Sequence, residues 1–227
     1  SRGLGDVYKR QLAERAEAVR DRRVQPHEDN MLKIASDGKK LALDPRCLDL
    51  FAADEAGNKL NACAAEVYEY WKQTEEFQGT QLVFCDLATP KQTFESYECG
   101  KNFDAYNELK CKLVEKGIPQ EQIAYIHEAK NDNEKLNLFN KVNAGKIRIL
   151  LGSTEKCGAG TNVQKRLKAI HHLDAPYRPR DLIQRNGRGV RQGNMNKSVA
   201  ICTYVMERTF DCLLYTSPSP RDVEESR

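Results

Sequence analysis

The stretch KIRILLGSTEKCGAGTNVQKRLKAIHHLDAPYRPRDLIQRNGRGVRQGN, Lys146 to Asn194, decides how the rest of the chain is read. Ile147, Ile149, Leu150 and Leu151 form a near-continuous apolar run with β-branched members, the pattern of a strand buried on both faces of a parallel sheet. The run stops at Gly152-Ser153-Thr154, small residues at a strand's C-terminal end, where open α/β sheets bind ligands. Gly158 and Gly160 follow, so the backbone there is free to turn tightly or to approach a phosphate. A second short strand is expected over 169–173, closed by Asp174 and Pro176. Gln184, Arg188 and Arg191 then lie four and seven positions apart, which places them on one stripe of a helix. Two guanidinium forks and an amide make a poor core and a good polyphosphate clamp. Arg185 falls off that stripe and reads as solvated.

GSTEKCGAGTNVQ and QRNGRGVRQGN resemble motifs V and VI of superfamily-two helicases, among them the Swi/Snf-type DNA translocases. The resemblance is closer still to the helicase part of very large proteins of phages and mobile elements, which join an adenine-specific DNA methylase to such a motor. It extends over roughly Leu12 to Cys212, and two motifs in order carry more weight than a lone glycine loop. It implies an α/β fold: a three-layer RecA-like lobe whose mainly parallel sheet is covered by helices on both faces. It also implies duplex DNA, a first RecA-like lobe of the same parent chain and an attached methylase as partners, with ATP and Mg²⁺ as cofactors held mainly by that first lobe.

Composition agrees with one α/β domain. The 227 residues are enough for a real core or a core plus a small appendage. Charged residues make up 30% while the formal charge is only +3, so a nucleic-acid partner has to be met by local patches rather than a global field. No run is long and apolar enough to span a membrane, and no signal-peptide pattern is present. The eight cysteines include no C-x-x-C pair, which favours reduced core thiols in a cytoplasmic protein over a zinc site or a disulfide framework.

Outward from the central stretch, strands are expected at 81–87, 123–127 and 199–205, and helices at 58–77, from Phe103 to Leu113, and at 131–143. Leu60, Cys63, Ala64, Val67, Tyr70, Trp71 and Thr74 recur at helical spacing and predict a broad buried face. Its aromatics read as core rather than as a base-stacking platform. Gly117 with Pro119 and Gly145 read as helix stops. Leu12 to Arg23 reads as a short charged helix, Asp37-Gly38 as a turn, Asp44-Pro45-Arg46 as a lead-in, and residues 207–211 as the opening of a last helix. DVYKRQ near the start and LYTSPSPRD near the end resemble translated adapter sequence. The expected division is therefore 1–11 foreign, 12–57 charged helix and lead-in, 58–212 the lobe, and 213–227 foreign.

Roles follow from the resemblance position by position. Thr154 falls on the motif V threonine that touches a nucleic-acid phosphate, with Ser153 beside it. Thr89, Lys91 and Gln92 follow the motif IV strand, in a loop that faces nucleic acid in the family, and read equally as backbone-phosphate contacts or as a solvated loop. Gly158, Gly160 and Asn162 fall where the loop faces the nucleotide or braces the arginines. Arg188 and Arg191 match the arginines that reach the γ-phosphate, and Gln184 the glutamine that leads them. Gly187 and Gly189 each disfavour a helix by roughly 1 kcal/mol relative to alanine, and suit close backbone approach across a cleft. His127 reads as a satisfied polar strand end, and His171-His172 point to opposite faces and share no metal. Cys157 beside Lys156 has no assignable histidine partner, which discounts it as a nucleophile. The chain contains no G-x-x-x-x-G-K-[ST] loop and no paired acidic motif for Mg²⁺. The leading reading is thus the second lobe of an ATP-dependent DNA helicase or translocase, inactive as a hydrolase by itself. The alternative is a non-catalytic module that binds DNA or a partner for an attached methylase.

Overall fold

The apolar run of the central stretch forms a strand, β3 (Ile149–Gly152), with all four residues buried. The computed structural model describes residues 3–90, 93–98, 101–157, 161–174, 176, 179–189 and 192–206, without the side chains of 3–6, 179, 188 and 189. Around β3 lie β1 (Thr80–Phe84), β2 (Ile123–Tyr125), β4 (Leu167–His172) and β5 (Ala200–Thr203). They make one sheet in the order β2-β3-β1-β4-β5, and every pair is parallel. β1 is the hub: Leu82 is paired with Leu150 of β3 on one side and with Ile170 of β4 on the other.

Strand alternation sorts the side chains into two cores. Val83, Ile149 and Leu151 face α3 (Lys59–Gln73) and α4 (Ala105–Glu115), meeting Leu60, Val67, Leu109 and Leu113. Leu82, Phe84, Leu150 and Ile170 face the other way, onto Phe139 and Val142 of α5 (Asp132–Asn143). Fully burying each of these leucines contributes about 1.5–3 kcal/mol. Caps set the helix starts: the side chains of Asn58, Asp104 and Asn131 accept backbone N–H bonds from Asn61, Asn107 and Glu134. The fold is a RecA-like α/β lobe with helices on both faces of a parallel sheet, as the chain's alternation of strands and helices predicts.

Topology places the functional end. The chain leaves β1 across the α4 face toward β2, and leaves β4 through α6 (Pro179–Gly189) toward β5. α6 lies over the opposite face, where Arg185 covers the Phe84 ring and Asn186 meets His172. The connections diverge between the C-terminal ends of β1 and β4, and such a switch point is where open α/β sheets make a crevice.

Several boundaries differ from expectation. Asp37-Gly38 is the interior of a helix, α2 (Met31–Leu43), capped by Asn30. Burial of Ile34, Leu41, Ala42 and Leu43 outweighs the glycine penalty of about 1 kcal/mol. Asp37 pairs with Arg15 of the preceding α1 (Gly3–Arg20). That helix spans Gly3–Arg20 rather than the expected Leu12 to Arg23. β2 ends at Tyr125 rather than 127, because Ile126–Glu128 tighten into a 3-10 turn closed by Glu128 on the Tyr125 N–H. The expected helix at 207–211 and the segment 213–227 lie outside the described residues.

Candidate functional site

Three strand ends deliver the parts of one cleft, of about 620 Å³. Asp86 and Thr89 follow β1, His127 follows β2, and Ser153, Thr154, Glu155 and Lys156 follow β3. Asp181 and Gln184 of α6 form the opposite wall. The loop after β3 folds back sharply, with Cys157 N–H bonded to the Ser153 carbonyl at 2.9 Å. Gly152 makes that possible: a Cβ there would stand 2.5 Å from Cys157 Sγ and 2.9 Å from Ile126 Cγ2.

At the switch point sits Arg185, only 1% exposed. Its Nε donates to Thr154 Oγ1 at 2.7 Å and its Nη1 to the Asp174 carbonyl at 3.0 Å. Its Nη2 donates to Asp86 Oδ2 at 2.7 Å and to Asp174 Oδ1 at 3.0 Å. The expectation that Arg185 is solvated is therefore wrong. Arg185 turns toward the sheet, where two carboxylates receive it. Asp174, two residues beyond β4, also accepts the N–H groups of Asp86 and Leu87, at 2.6 and 2.9 Å. Burial pushes the Asp174 carboxyl up against the pull of Arg185. Burial also raises Asp86, but the Arg185 charge and two hydrogen bonds from Thr154 outweigh it, and the carboxyl lies below its usual value. The guanidinium is held protonated, the two carboxylates overcoming its desolvation.

Of the residues singled out from sequence, Thr89, Ser153, Thr154 and Gln184 come together on this cleft. Ser153 is nearly buried, and its hydroxyl accepts the Lys156 N–H at 3.2 Å. Asn162 does not join them: its carbonyl accepts from Asn143 at the end of α5, and it is absent from the cleft lining. Lys91, Gln92, Gly158, Gly160 and Arg191 lie outside the described residues, as does the side chain of Arg188, whose backbone belongs to α6. A Cβ at Gly187 would meet nothing within 4 Å, so no contact among the described residues requires that glycine.

Histidines divide as their strand positions dictate. His171 Nδ1 meets the Tyr204 hydroxyl and its Nε2 meets Gln81 Oε1, whereas His172 Nε2 meets Asn186 Oδ1 on the other face. They share no ligand. Burial lowers His171 to about 3 and His172 to about 4, so both are neutral. His127 is not the satisfied strand end expected, for its buried Nδ1 has no hydrogen-bond partner among the described residues. Desolvation and nearby Lys156 lower its pKa. Cys47, Cys63, Cys85, Cys111, Cys157 and Cys202 form no disulfide among the described residues, and burial pushes Cys63 and Cys85 up, away from thiolate chemistry.

Neither sequence motif pointed to Asp86, Asp174 or Asp181. The signal for the first two was present, a carboxylate at the C-terminal end of each of two adjacent parallel strands. With Asp86, Glu155 and Asp181 against Lys156, the described lining carries more negative than positive charge. By itself it does not fit a triphosphate. Among the described residues no three His, Cys, Asp or Glu side chains form a group able to hold a metal ion, and no helix is long and apolar enough to cross a membrane.

A parallel sheet with a strand-end cleft at its switch point, facing a Gln/Arg helix, defines a RecA-like lobe of the helicase type. Residues 67–193, more than half of the chain, match the helicase conserved C-terminal domain, and the chain belongs to that family. It is 31% identical to the defense against restriction protein B of Escherichia phage P1, over 59% of this chain and 8% of that protein. Among solved structures, the C-terminal part of the Fun30 ATPase domain aligns with a TM-score of 0.52 and 17% identity, covering 73% of this chain and 46% of that one. The Hef helicase domain of Pyrococcus furiosus aligns at 0.46 with 15% identity, over 71% of this chain and 28% of that one. The chain thus spans less than half the length of the relatives it matches.

Proposed function

We propose that the chain is the second motor lobe of an ATP-dependent DNA translocase or helicase of the Swi/Snf type. In this reading it completes an ATP site whose phosphate loop and magnesium carboxylates belong to a first lobe. The observation that supports it best is the convergence of Ser153, Thr154 and Gln184 on one strand-end cleft in a chain of the helicase C-terminal family. Thr154, Ser153, Thr89 and Lys91 are assigned to the nucleic-acid backbone, which such motors follow without reading bases. Arg188 and Arg191 are assigned as arginine fingers, and Gln184 as the link between them and the backbone-facing loop. Gly158, Gly160 and Asn162 are assigned to the loop that faces the nucleotide or braces the arginines. When bound between the lobes, ATP with Mg²⁺ supplies the phosphoryl group that is transferred to water. This lobe's part is to place positive charge where the transferring oxygens gather it. The phage and mobile-element setting and an attached adenine methylase belong to the same reading.

The test is ATP turnover, with and without duplex DNA, of a protein in which this lobe is joined to a first lobe. DNA-stimulated turnover that disappears when residues 58–212 are removed is the expected result. Turnover that is indifferent to their removal overturns the motor reading and leaves a binding module.

A further inference from the structure

Thr154 offers two donors at the mouth of the cleft, and both are already taken. Its N–H reaches Asp86 Oδ1 at 2.6 Å, and its hydroxyl lies 2.8 Å from Asp86 Oδ2. Arg185 Nε donates to that hydroxyl at 2.7 Å, so the Thr154 proton has to point away from Arg185 to an acceptor. Arg185 Nη2 also reaches Asp86 Oδ2. Three donors therefore converge on one carboxylate, an arrangement suited to two oxygens of an anion and of the strong, charge-assisted kind. The present occupant is the chain's own side chain.

The parts of this arrangement differ in how freely they can move. Arg185 has no exposed side-chain surface and the Asp174 side chain is 4% exposed, whereas that of Asp86 is 39% exposed. Asp86 has room to turn out into the cleft while Arg185 stays on Asp174. Thr154 would then present an N–H and an O–H with no acceptor, a condition that favours an incoming anion. A phosphate that arrives while Asp86 is in place finds the opposite: no open donor on Thr154, and the charges of Asp86, Glu155 and Asp181 to repel it.

We propose that Thr154 and Arg185 form an anion cradle for a backbone phosphate of DNA, and that Asp86 fills it as an internal competitor which the phosphate displaces. This deepens the DNA-binding part of the proposed function and rests on it. Asp86 thereby holds the lobe's affinity for DNA down, and its displacement links DNA binding to the helix that carries Gln184 and Arg188.

The test compares this chain with Asp86→Asn, Asp86→Ala and the double variant Asp86→Asn/Thr154→Val, using fluorescence anisotropy with a labelled DNA duplex at low salt. Thermal melting checks folding; if Asp86→Ala does not fold, Asp86→Asn, which keeps size and one acceptor, carries the test. The single variants are expected to bind DNA about tenfold more tightly, the scale of one charge-assisted hydrogen bond no longer in competition. Adding Thr154→Val is expected to remove most of that gain. In parallel, inorganic phosphate is titrated while the Thr154 amide signal is followed by NMR, and it should respond at lower phosphate in Asp86→Asn than in the parent chain. Folded single variants that bind DNA no more tightly overturn the inference and leave the DNA reading standing. If no form binds DNA, but phosphate reaches Thr154 more readily in Asp86→Asn, the cradle stands and the DNA reading falls. Absence of both responses overturns both.

Discussion

Arg185 uses four of its five N–H donors on three residues brought from beyond the ends of β1, β3 and β4. Removing it leaves Asp174 buried and short of its cation, and breaking a buried pair from one side costs about 3–5 kcal/mol. Arg185→Met is expected to lose stability on that scale in chemical denaturation. Arg185→Lys should recover little, because a point charge lacks the fork that reaches Thr154 and both carboxylates; a loss below about 1 kcal/mol would mean the network holds nothing together. Sequence spacing identified the arginine but not this role, because its partners lie 11, 31 and 99 positions away. The histidines act at the same scale, through pH. His171 and His172 are depressed to about 3 and about 4 by burial, His172 also by the Arg185 charge despite its bond to Asn186. The unfolded chain takes up these protons first, near pH 6.5. Stability is therefore full above about 6.5, and each site withdraws up to about 1.4 kcal/mol per pH unit as pH falls toward its folded value. Asp174, shifted upward, works in the opposite sense, but only from its folded value down into the carboxylate range. Denaturant titrations at pH 7, 6 and 5 should show the loss. Replacing His171 with Gln should lower stability at pH 7 yet flatten the slope, and an unchanged slope would place the acid sensitivity elsewhere.

Among the elements, those that could be read from the sequence are the ones in which a single force dominates. β1 and β3 are buried along their whole length and β4 at all but Lys168, each around an apolar centre that reads as strand. α3 and α4 carry their buried stripe in the spacing itself. α2 was missed because its signal is divided: Asp37-Gly38 speaks for a turn, and only packing, with the Arg15 contact to Asp37, reverses it. β5 is an edge strand whose alternate residues are exposed, so it is shorter than its apolar run suggested. Helix α6 is the informative case. Gly187 lies inside it with open space where a side chain would be. Gly187→Ala should therefore stabilise this chain by about 0.5–1 kcal/mol through helix propensity, a rise visible in thermal melting. If the open space is where a first lobe closes, the same substitution should slow ATP turnover of the two-lobed protein. A variant that melts higher and turns over normally would show that the glycine serves no approach.

For the whole molecule the decisive question is whether the Gln184 stripe acts across a gap between lobes. The described lining of the cleft carries too much carboxylate to hold a triphosphate alone, and Arg185, buried in α6, is committed to Asp86 and Asp174. In the proposed function, positive charge for the transferring phosphate is assigned to the other arginines of the motif, Arg188 and Arg191. In the two-lobed protein, replacing either with alanine should reduce turnover by roughly 10³ or more, the scale of a supplied arginine, or about 4 kcal/mol of transition-state stabilisation. ATP affinity should change little, because in the proposed function the first lobe holds most of the nucleotide. Lysine should rescue poorly, since it keeps the charge and loses the fork. A solvated salt-bridge helix predicts the reverse pattern, a stability change of about 1 kcal/mol or less with turnover intact. Arg185→Met supplies the internal contrast: its effect should fall on stability first, whereas Arg188→Ala and Arg191→Ala should melt like the parent. Measuring kcat, nucleotide affinity and melting temperature together separates the three arginines. Normal kcat in both finger variants would remove the arginine-finger assignment and, with it, the main chemical role proposed for this lobe.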